Sequence, residues 1–214
     1  MWSLWVYRPS ARYVAWLFLK LGISANQITA IGAAVGIAGC TLLAFSSYWM
    51  VIAGVALIVL HGILDCTDGA IARVTKTTSK YGLFLDIVSG HMMEGLIPLS
   101  VSIGLYWGTG LWPYLILGGF CTFIRLLGNI ETLAYNATFS GQMQDIASSS
   151  KLAKWGAGLA MLEVPVLIIC VIPNCLEVFL VLFTAIFASK AVALMYIIRK
   201  ETAKPHYEEI WLPY

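Results

Sequence analysis

The sequence predicts an all-α integral membrane protein, with six transmembrane helices preceded by an N-terminal interfacial amphipathic helix. Of the 214 residues, 60% are hydrophobic and only 11% are charged, whereas soluble domains carry about 25% charged residues. The apolar residues form six runs, each close to the roughly 20 residues that a membrane-spanning helix needs. This composition excludes a soluble enzyme, a disordered chain and a nucleic-acid-binding module with a basic surface.

The helices are predicted as follows. Residues from Ser10 to Lys20 alternate basic and aromatic side chains at helical spacing, and Gly22 and Asn26 end this run. We therefore predict an interfacial helix on the cytoplasmic leaflet within residues 1–26, rather than a longer first span. One six-helix domain occupies residues 27–198, and residues 199–214 form a cytoplasmic tail. The predicted spans are Gln27–Phe45, Tyr48–Asp65, Gly82–Tyr106, Leu111–Leu133, Ala153–Ile172 and Leu176–Ile198.

The basic residues predict the orientation. Of the 13 Lys and Arg residues, all but Arg125 and Lys190 lie in four segments. These segments precede the first span or follow the second, the fourth or the sixth span. The three opposite loops contain none. By the positive-inside rule, both termini are expected in the cytoplasm, which agrees with an even number of spans.

Three carboxylates are predicted to meet near the cytoplasmic surface. Asp65 and Asp68 are three residues apart and share a helix face, and Asp86 begins the next, antiparallel helix at the same depth. Carboxylates that converge in this way cannot all stay ionised without a cation. Oxygen ligands suit Mg²⁺ or Mn²⁺, and Gly69 and Gly82 leave room beside them. The alternative, simple pairing with the basic loop residues, fits this spacing less well.

At these residues the chain resembles a known family. The stretch DCTDGAIAR at 65–73, with Gly82 and Asp86, is similar to the signature of the CDP-alcohol phosphotransferase (CDP-alcohol phosphatidyltransferase) family. That signature reads D-x2-D-G-x2-A-R-x8-G-x3-D-x3-D, and seven of its eight fixed positions match. Arg8-Pro9 and the segment from Gly22 to Thr29 also resemble the N-terminal region of the family.

The resemblance implies transfer of a substituted phosphate from a CDP-linked donor to an alcohol, with release of CMP. It implies one or two Mg²⁺ or Mn²⁺ ions held by Asp65, Asp68 and Asp86. The first expectation is a CDP-diacylglycerol donor from the surrounding membrane lipid and a small polar acceptor, with no nucleic acid as partner. Family members are often homodimers. The positions expected to bind substrate are Asn26, Thr29, Gly69, Ala72, Arg73, Ser79 and Gly82.

The eighth motif position is Gly90, where the family has an aspartate that binds metal and acts as the general base. Four explanations stay open. His91 could replace the base, with Glu94 as its partner on the same helix face; the acceptor could already be anionic; a single metal could bind. In the fourth, the protein has lost activity and binds a CDP-linked nucleotide as a sensor or scaffold.

Three further charged residues are candidates for acceptor binding. Arg125 in the fourth span either pairs with a carboxylate of another helix or contacts an anionic part of the acceptor. Lys151 and Lys154, at the cytoplasmic start of the fifth span, either bind an acceptor phosphate or extend to lipid headgroups. The sequence does not identify the acceptor.

Overall fold

The computed structural model describes residues 7–138 and 162–202. Within these ranges the chain is helical and contains no strand, which confirms the all-α prediction. The helices, in chain order, are α1 (Arg8–Lys20), α2 (Ala25–Leu43), α3 (Tyr48–Val74), α4 (Lys80–Thr109), α5 (Pro113–Thr138), α6 (Glu163–Val171) and α7 (Leu176–Thr202).

Among the described residues, four helical segments are long and apolar enough to cross a membrane: α2, α3, Pro113–Glu131 of α5 and Leu176–Tyr196 of α7. They correspond to the first, second, fourth and sixth predicted spans. Helix α4 has 30 residues but is not among them, and its first half carries Asp86 and Glu94. The predicted fifth span begins outside the described residues, and its described part includes the nine-residue α6. The count of six spans and the sides of the termini stay predictions.

The helix ends nearest the motif are set by capping side chains. Ser24 caps α2 in a capping box, because its hydroxyl accepts from the Gln27 N–H while the Gln27 side chain accepts from the Ser24 N–H. Ser79 caps α4, with its hydroxyl 3.0 Å from the Gly82 nitrogen. Such caps satisfy backbone donors that the first helical turn leaves unpaired. They therefore determine where the first turns of α2 and α4 begin.

Helices α2 and α3 pack closely because glycines face each other at their contact. A Cβ atom added at Gly54 would lie 2.8 Å from the Gly39 carbonyl oxygen, and one added at Gly39 would lie 2.9 Å from the Gly54 oxygen. Small residues let helix backbones approach in this way inside a membrane. The main core includes residues of α2 and α3 together with a row of buried phenylalanines on α7, at positions 179, 183 and 187.

Helix α1 lies against α3 and turns an aromatic face outward. Ala11 and Ala15 are buried, whereas Tyr13 and Trp16 are exposed, and the Lys20 ammonium lies 3.7 Å from the centre of the Trp16 ring. A helix with a small buried face and an exposed aromatic and basic face suits a membrane interface. The helix itself is present where it was predicted, and its interfacial position stays a prediction.

Candidate active site

The three motif aspartates meet at the junction of α3 and α4. Asp65 and Asp68 lie in the second half of α3, and Asp86 lies in the second turn of α4. The carboxyl groups of Asp65 and Asp86 are close enough for a side-chain hydrogen bond, and Asp68 is near enough to Asp86 to interact electrostatically. The predicted convergence of carboxylates from two helices is therefore present.

Asp68 is the most buried of the three and is tied to α2. Asp68 is only 5% exposed, and its Oδ2 accepts a hydrogen bond from the Thr29 hydroxyl. The same carboxyl group lies near the Gly69 backbone N–H and the Arg73 guanidinium. Thr29, predicted as a substrate contact, thus orients a predicted metal ligand in this structure.

The donor set suits a hard divalent cation. Three carboxylates from two helices supply the oxygen ligands that Mg²⁺ and Mn²⁺ prefer, and a cation between Asp65 and Asp86 would remove their mutual repulsion. Among the described residues, no group of three or more His, Cys, Asp or Glu side chains is arranged as a ready metal site. The Oδ2 atom of Asp68 instead accepts a hydrogen bond from the Thr29 hydroxyl.

Several predicted substrate contacts lie together beside these acids. A Cβ atom at Gly82 would lie 3.2 Å from both Asn26 Oδ1 and Ser79 Oγ, so the first turns of α2 and α4 face each other across this glycine. A Cβ at Gly69 would lie 3.3 Å from an Arg73 nitrogen. Ala72 is half-buried on the same helix. A side chain at either glycine would crowd polar groups that could otherwise bind a substrate.

Gly90 lies one turn beyond Asp86 on α4. A Cβ atom built at this position has nothing within 4 Å. The position of a Cβ atom at residue 90 is therefore open among the described residues.

The next turn of α4 belongs to a partly buried network of polar and charged side chains. Glu94 Oε1 lies 2.7 Å from Arg125 Nη2, and Glu94 Oε2 accepts from the Asn129 amide at 2.6 Å. His91 Nδ1 is 3.3 Å from the same Oε2. Because α5 supplies Arg125 and Asn129, this network joins α4 to α5.

Arg125 is the centre of the network. It is 5% exposed, reaches Glu163 Oε2 of α6 at 3.5 Å, and lies over the Phe187 ring of α7 at 4.3 Å. Lys190 of α7 interacts electrostatically with the same acids. The structure thus shows the pairing predicted as one alternative for Arg125, and its contact with an acceptor stays a prediction.

Sequence reasoning missed Asn129 and did not place Glu163 in the site. The available signal was the rule that intramembrane charges need partners, but it does not say which helix supplies them. Lys151 and Lys154 lie outside the described residues.

Comparison with known proteins agrees with this geometry. A model of the CDP-alcohol phosphatidyltransferase family matches residues 22–200. The chain is 32% identical over 137 residues to the archaetidylinositol phosphate synthase of Pyrococcus horikoshii, covering 63% of this chain and 62% of that protein. It is 31% identical over 108 residues to the archaetidylinositol phosphate synthase of Methanothermobacter thermautotrophicus, covering 49% of this chain and 54% of that protein. The chain thus aligns with less than two thirds of the length of either relative.

The fold is also similar to that of a solved enzyme. The structure of the phosphatidylinositol phosphate synthase of Mycobacterium tuberculosis with CDP-DAG bound superposes with a TM-score of 0.65, covering 88% of this chain and 92% of that chain at 15% identity. Its complex with manganese and citrate gives a TM-score of 0.66, covering 91% and 89%. The family match includes all seven conserved motif positions found in the sequence. On this evidence, the chain belongs to the CDP-alcohol phosphatidyltransferase family.

Proposed function

We propose that this protein is a metal-dependent phosphotransferase of phospholipid synthesis that acts at the membrane surface. It transfers a phosphatidyl-type group from a CDP-linked lipid to a polar acceptor and releases CMP. The observation that carries the proposal is the convergence of Asp65, Asp68 and Asp86 beside the small residues of the motif. Family membership and the CDP-DAG bound to the similar structure support the choice of donor.

The chemical class of the acceptor is proposed from the names of two relatives. Both are named archaetidylinositol phosphate synthases, so we propose an inositol phosphate as the first acceptor to test. The proposed site opens to the cytoplasm, where the positive-inside rule puts both termini. A lipid donor can then enter from the bilayer, and a charged acceptor can enter from water.

The motif residues have distinct proposed roles. Asp65, Asp68 and Asp86 would hold Mg²⁺ or Mn²⁺, which when bound neutralises charge on the diphosphate and on the departing CMP. Arg73 lies beside Gly69 and can bind a phosphate oxygen of the donor. Asn26 and Ser79, which meet at Gly82, are placed to contact the nucleotide.

His91 is the proposed general base in place of the absent aspartate at position 90. The acceptor hydroxyl loses its proton to the ring, its oxygen forms a bond to phosphorus, and the bond from phosphorus to the CMP oxygen breaks. A histidine suits this role because its usual pKa lies near neutral pH. The open position at Gly90 leaves room for an acceptor one helical turn from Asp86.

The test is CMP release by the purified full chain in detergent with added lipid. The assay contains Mg²⁺ or Mn²⁺, CDP-diacylglycerol or an ether-lipid equivalent, and inositol phosphate, glycerol phosphate, inositol or serine as acceptor. Asp68→Ala is expected to lose release, while the control Glu177→Ala, on an exposed position at the start of α7, keeps it. Equal release by Asp68→Ala would refute the proposed site.

One alternative has a specific observation in its favour. Gly90 removes the side chain that serves the family as metal ligand and base, so a member that binds CDP-linked nucleotide as a sensor or scaffold is the second candidate. It predicts divalent-dependent binding of CDP-diacylglycerol without CMP release for any acceptor in the panel.

A further inference from the structure

Both oxygens of Glu94 are held by α5. Oε1 forms the short ion pair with Arg125, and Oε2 accepts from the Asn129 amide. An arginine guanidinium is charged at every ordinary pH. In this pair the Arg125 side chain is buried and the Glu94 side chain is about one third exposed. Because Glu94 is fixed at both ends of its carboxylate, it has little freedom to rotate.

The fixed carboxylate determines the protonation pattern of the adjacent ring. A carboxylate paired with Arg is ionised and only accepts hydrogen bonds. His91 Nδ1 faces Glu94 Oε2 at 3.3 Å, so Nδ1 must carry the hydrogen. In the neutral ring the other nitrogen, Nε2, then has a free lone pair.

We propose that Arg125 and Asn129 are positioning residues for His91, acting through Glu94. They hold the carboxylate that selects the Nδ1–H tautomer and leaves Nε2 as the proton acceptor. This inference rests on the proposed function, in which His91 receives the acceptor proton. After that transfer the ring is an imidazolium, and the Glu94 carboxylate stabilises its charge.

A purely structural role makes different predictions. Arg125 also contacts Glu163 and the Phe187 ring, so its removal would disturb packing whatever His91 does. Asn129 and Glu94 are the better positions to change. Glu94→Gln keeps the shape of the side chain but replaces one acceptor oxygen with an N–H donor. The amide can donate to His91 Nδ1 and so favours the opposite tautomer.

The matched control is Glu131→Gln on α5. Glu131 has the same side chain, and within the described ranges it makes no contact with His91 or Glu94. It is expected to leave both the tautomer and the activity unchanged.

The first readout does not need catalysis. The full chain, labelled with ¹⁵N-histidine in detergent, contains three histidines, and the spectrum of His91→Gln identifies the His91 signals. Long-range ¹⁵N–¹H correlations distinguish the two neutral tautomers. His61 is an internal reference, because its Nδ1 lies 2.9 Å from the Gly32 carbonyl oxygen and must donate. We expect Nδ1–H for His91 in the wild type and Nε2–H in Glu94→Gln, with His61 unchanged.

The second readout is CMP release. Glu94→Gln is expected to lower kcat by about 10²- to 10⁴-fold, the usual range for general-base catalysis. Asn129→Ala, which removes one hydrogen bond to a charged group, is expected to lower kcat by about tenfold. KM for the donor should change little in both variants.

Two results would overturn the inference. The first is an Nε2–H tautomer in the wild type. The second is a Glu94→Gln variant that keeps full kcat while His91→Gln loses activity. If the wild type shows the Nδ1–H tautomer but releases no CMP, the proposed function fails together with the catalytic role of His91, whereas the selection of the tautomer by Glu94 is confirmed.

Discussion

The closest backbone approach between α2 and α3 gives a quantitative prediction. A Cβ atom at Gly54 would lie 2.8 Å from the Gly39 carbonyl oxygen and 3.0 Å from the Leu43 nitrogen. Both are backbone atoms, which cannot rotate away as a side chain can. Gly54→Ala must therefore push α2 and α3 apart or bend one of them.

The magnitude follows from comparison with a second glycine. At Gly119 on α5, an added Cβ has nothing within 4 Å. Gly119→Ala and Gly54→Ala gain the same helix propensity, about 1 kcal/mol, so their difference isolates the steric cost. Overpacking a well-packed contact costs about 1–3 kcal/mol. At about 2–4 °C per kcal/mol for chains of this size, Gly54→Ala should unfold about 2–12 °C below Gly119→Ala.

The assay is thermal unfolding of both variants and the wild type in one detergent, followed by tryptophan fluorescence and by size-exclusion recovery after heating. Gly119→Ala is expected at or slightly above the wild-type midpoint. A midpoint for Gly54→Ala equal to that of Gly119→Ala would refute the close backbone contact of α2 with α3.

Three further perturbations test the site. Mn²⁺ at about 100 times its Kd should raise the free energy of unfolding by about 2.7 kcal/mol, and Asp68→Asn should abolish this gain in a thermal titration. Gly90→Asp adds a carboxylate one helical turn from Asp86. We expect the half-saturating Mn²⁺ concentration in the same titration to fall about tenfold. An unchanged concentration would contradict this expectation. Arg125→Met removes the guanidinium that pairs with Glu94 and Glu163 and should cost about 3–5 kcal/mol in denaturant unfolding. Adding Glu163→Gln should recover part of that loss, and a purely additive loss would argue against the pairing.

Part of this architecture is predictable from sequence because it depends on local pattern. The apolar runs predict α2, α3, α5 and α7, and the motif spacing predicts the meeting of Asp65 and Asp68 with Asp86. The predicted end of α3 at Asp65 was too early, since the helix continues to Val74. Within this extension the Thr67 hydroxyl donates to the Ile63 carbonyl oxygen, and the hydroxyl of the C-cap residue Thr75 donates to the Ile71 carbonyl oxygen. Apolar content alone could not show that continuation.

The partners of Arg125 could not be predicted in the same way. Along the chain the nearest acid on its own helix is Glu131, six residues away and on a different face. The acids that it contacts come from α4 and α6, and their proximity depends on how those helices pack. For the same reason, the sequence could suggest Glu94 as a partner of His91 but could not reveal that Asn129 and Arg125 hold it.

The charge network around Arg125 also bears on how the protein is made. A single charged side chain costs about 2.5–3.5 kcal/mol to insert at the centre of a bilayer with one helix. Here Glu94, Arg125, Glu163 and Lys190 lie on four different helices, and the ion pairs that Arg125 forms with Glu94 and Glu163 each join two helices. Glu94, on the first of these helices to be made, therefore lacks its cationic partner until α5 arrives. Biogenesis favours insertion of these helices as a group, and a chain truncated after α4 would carry Glu94 into the membrane without its cation.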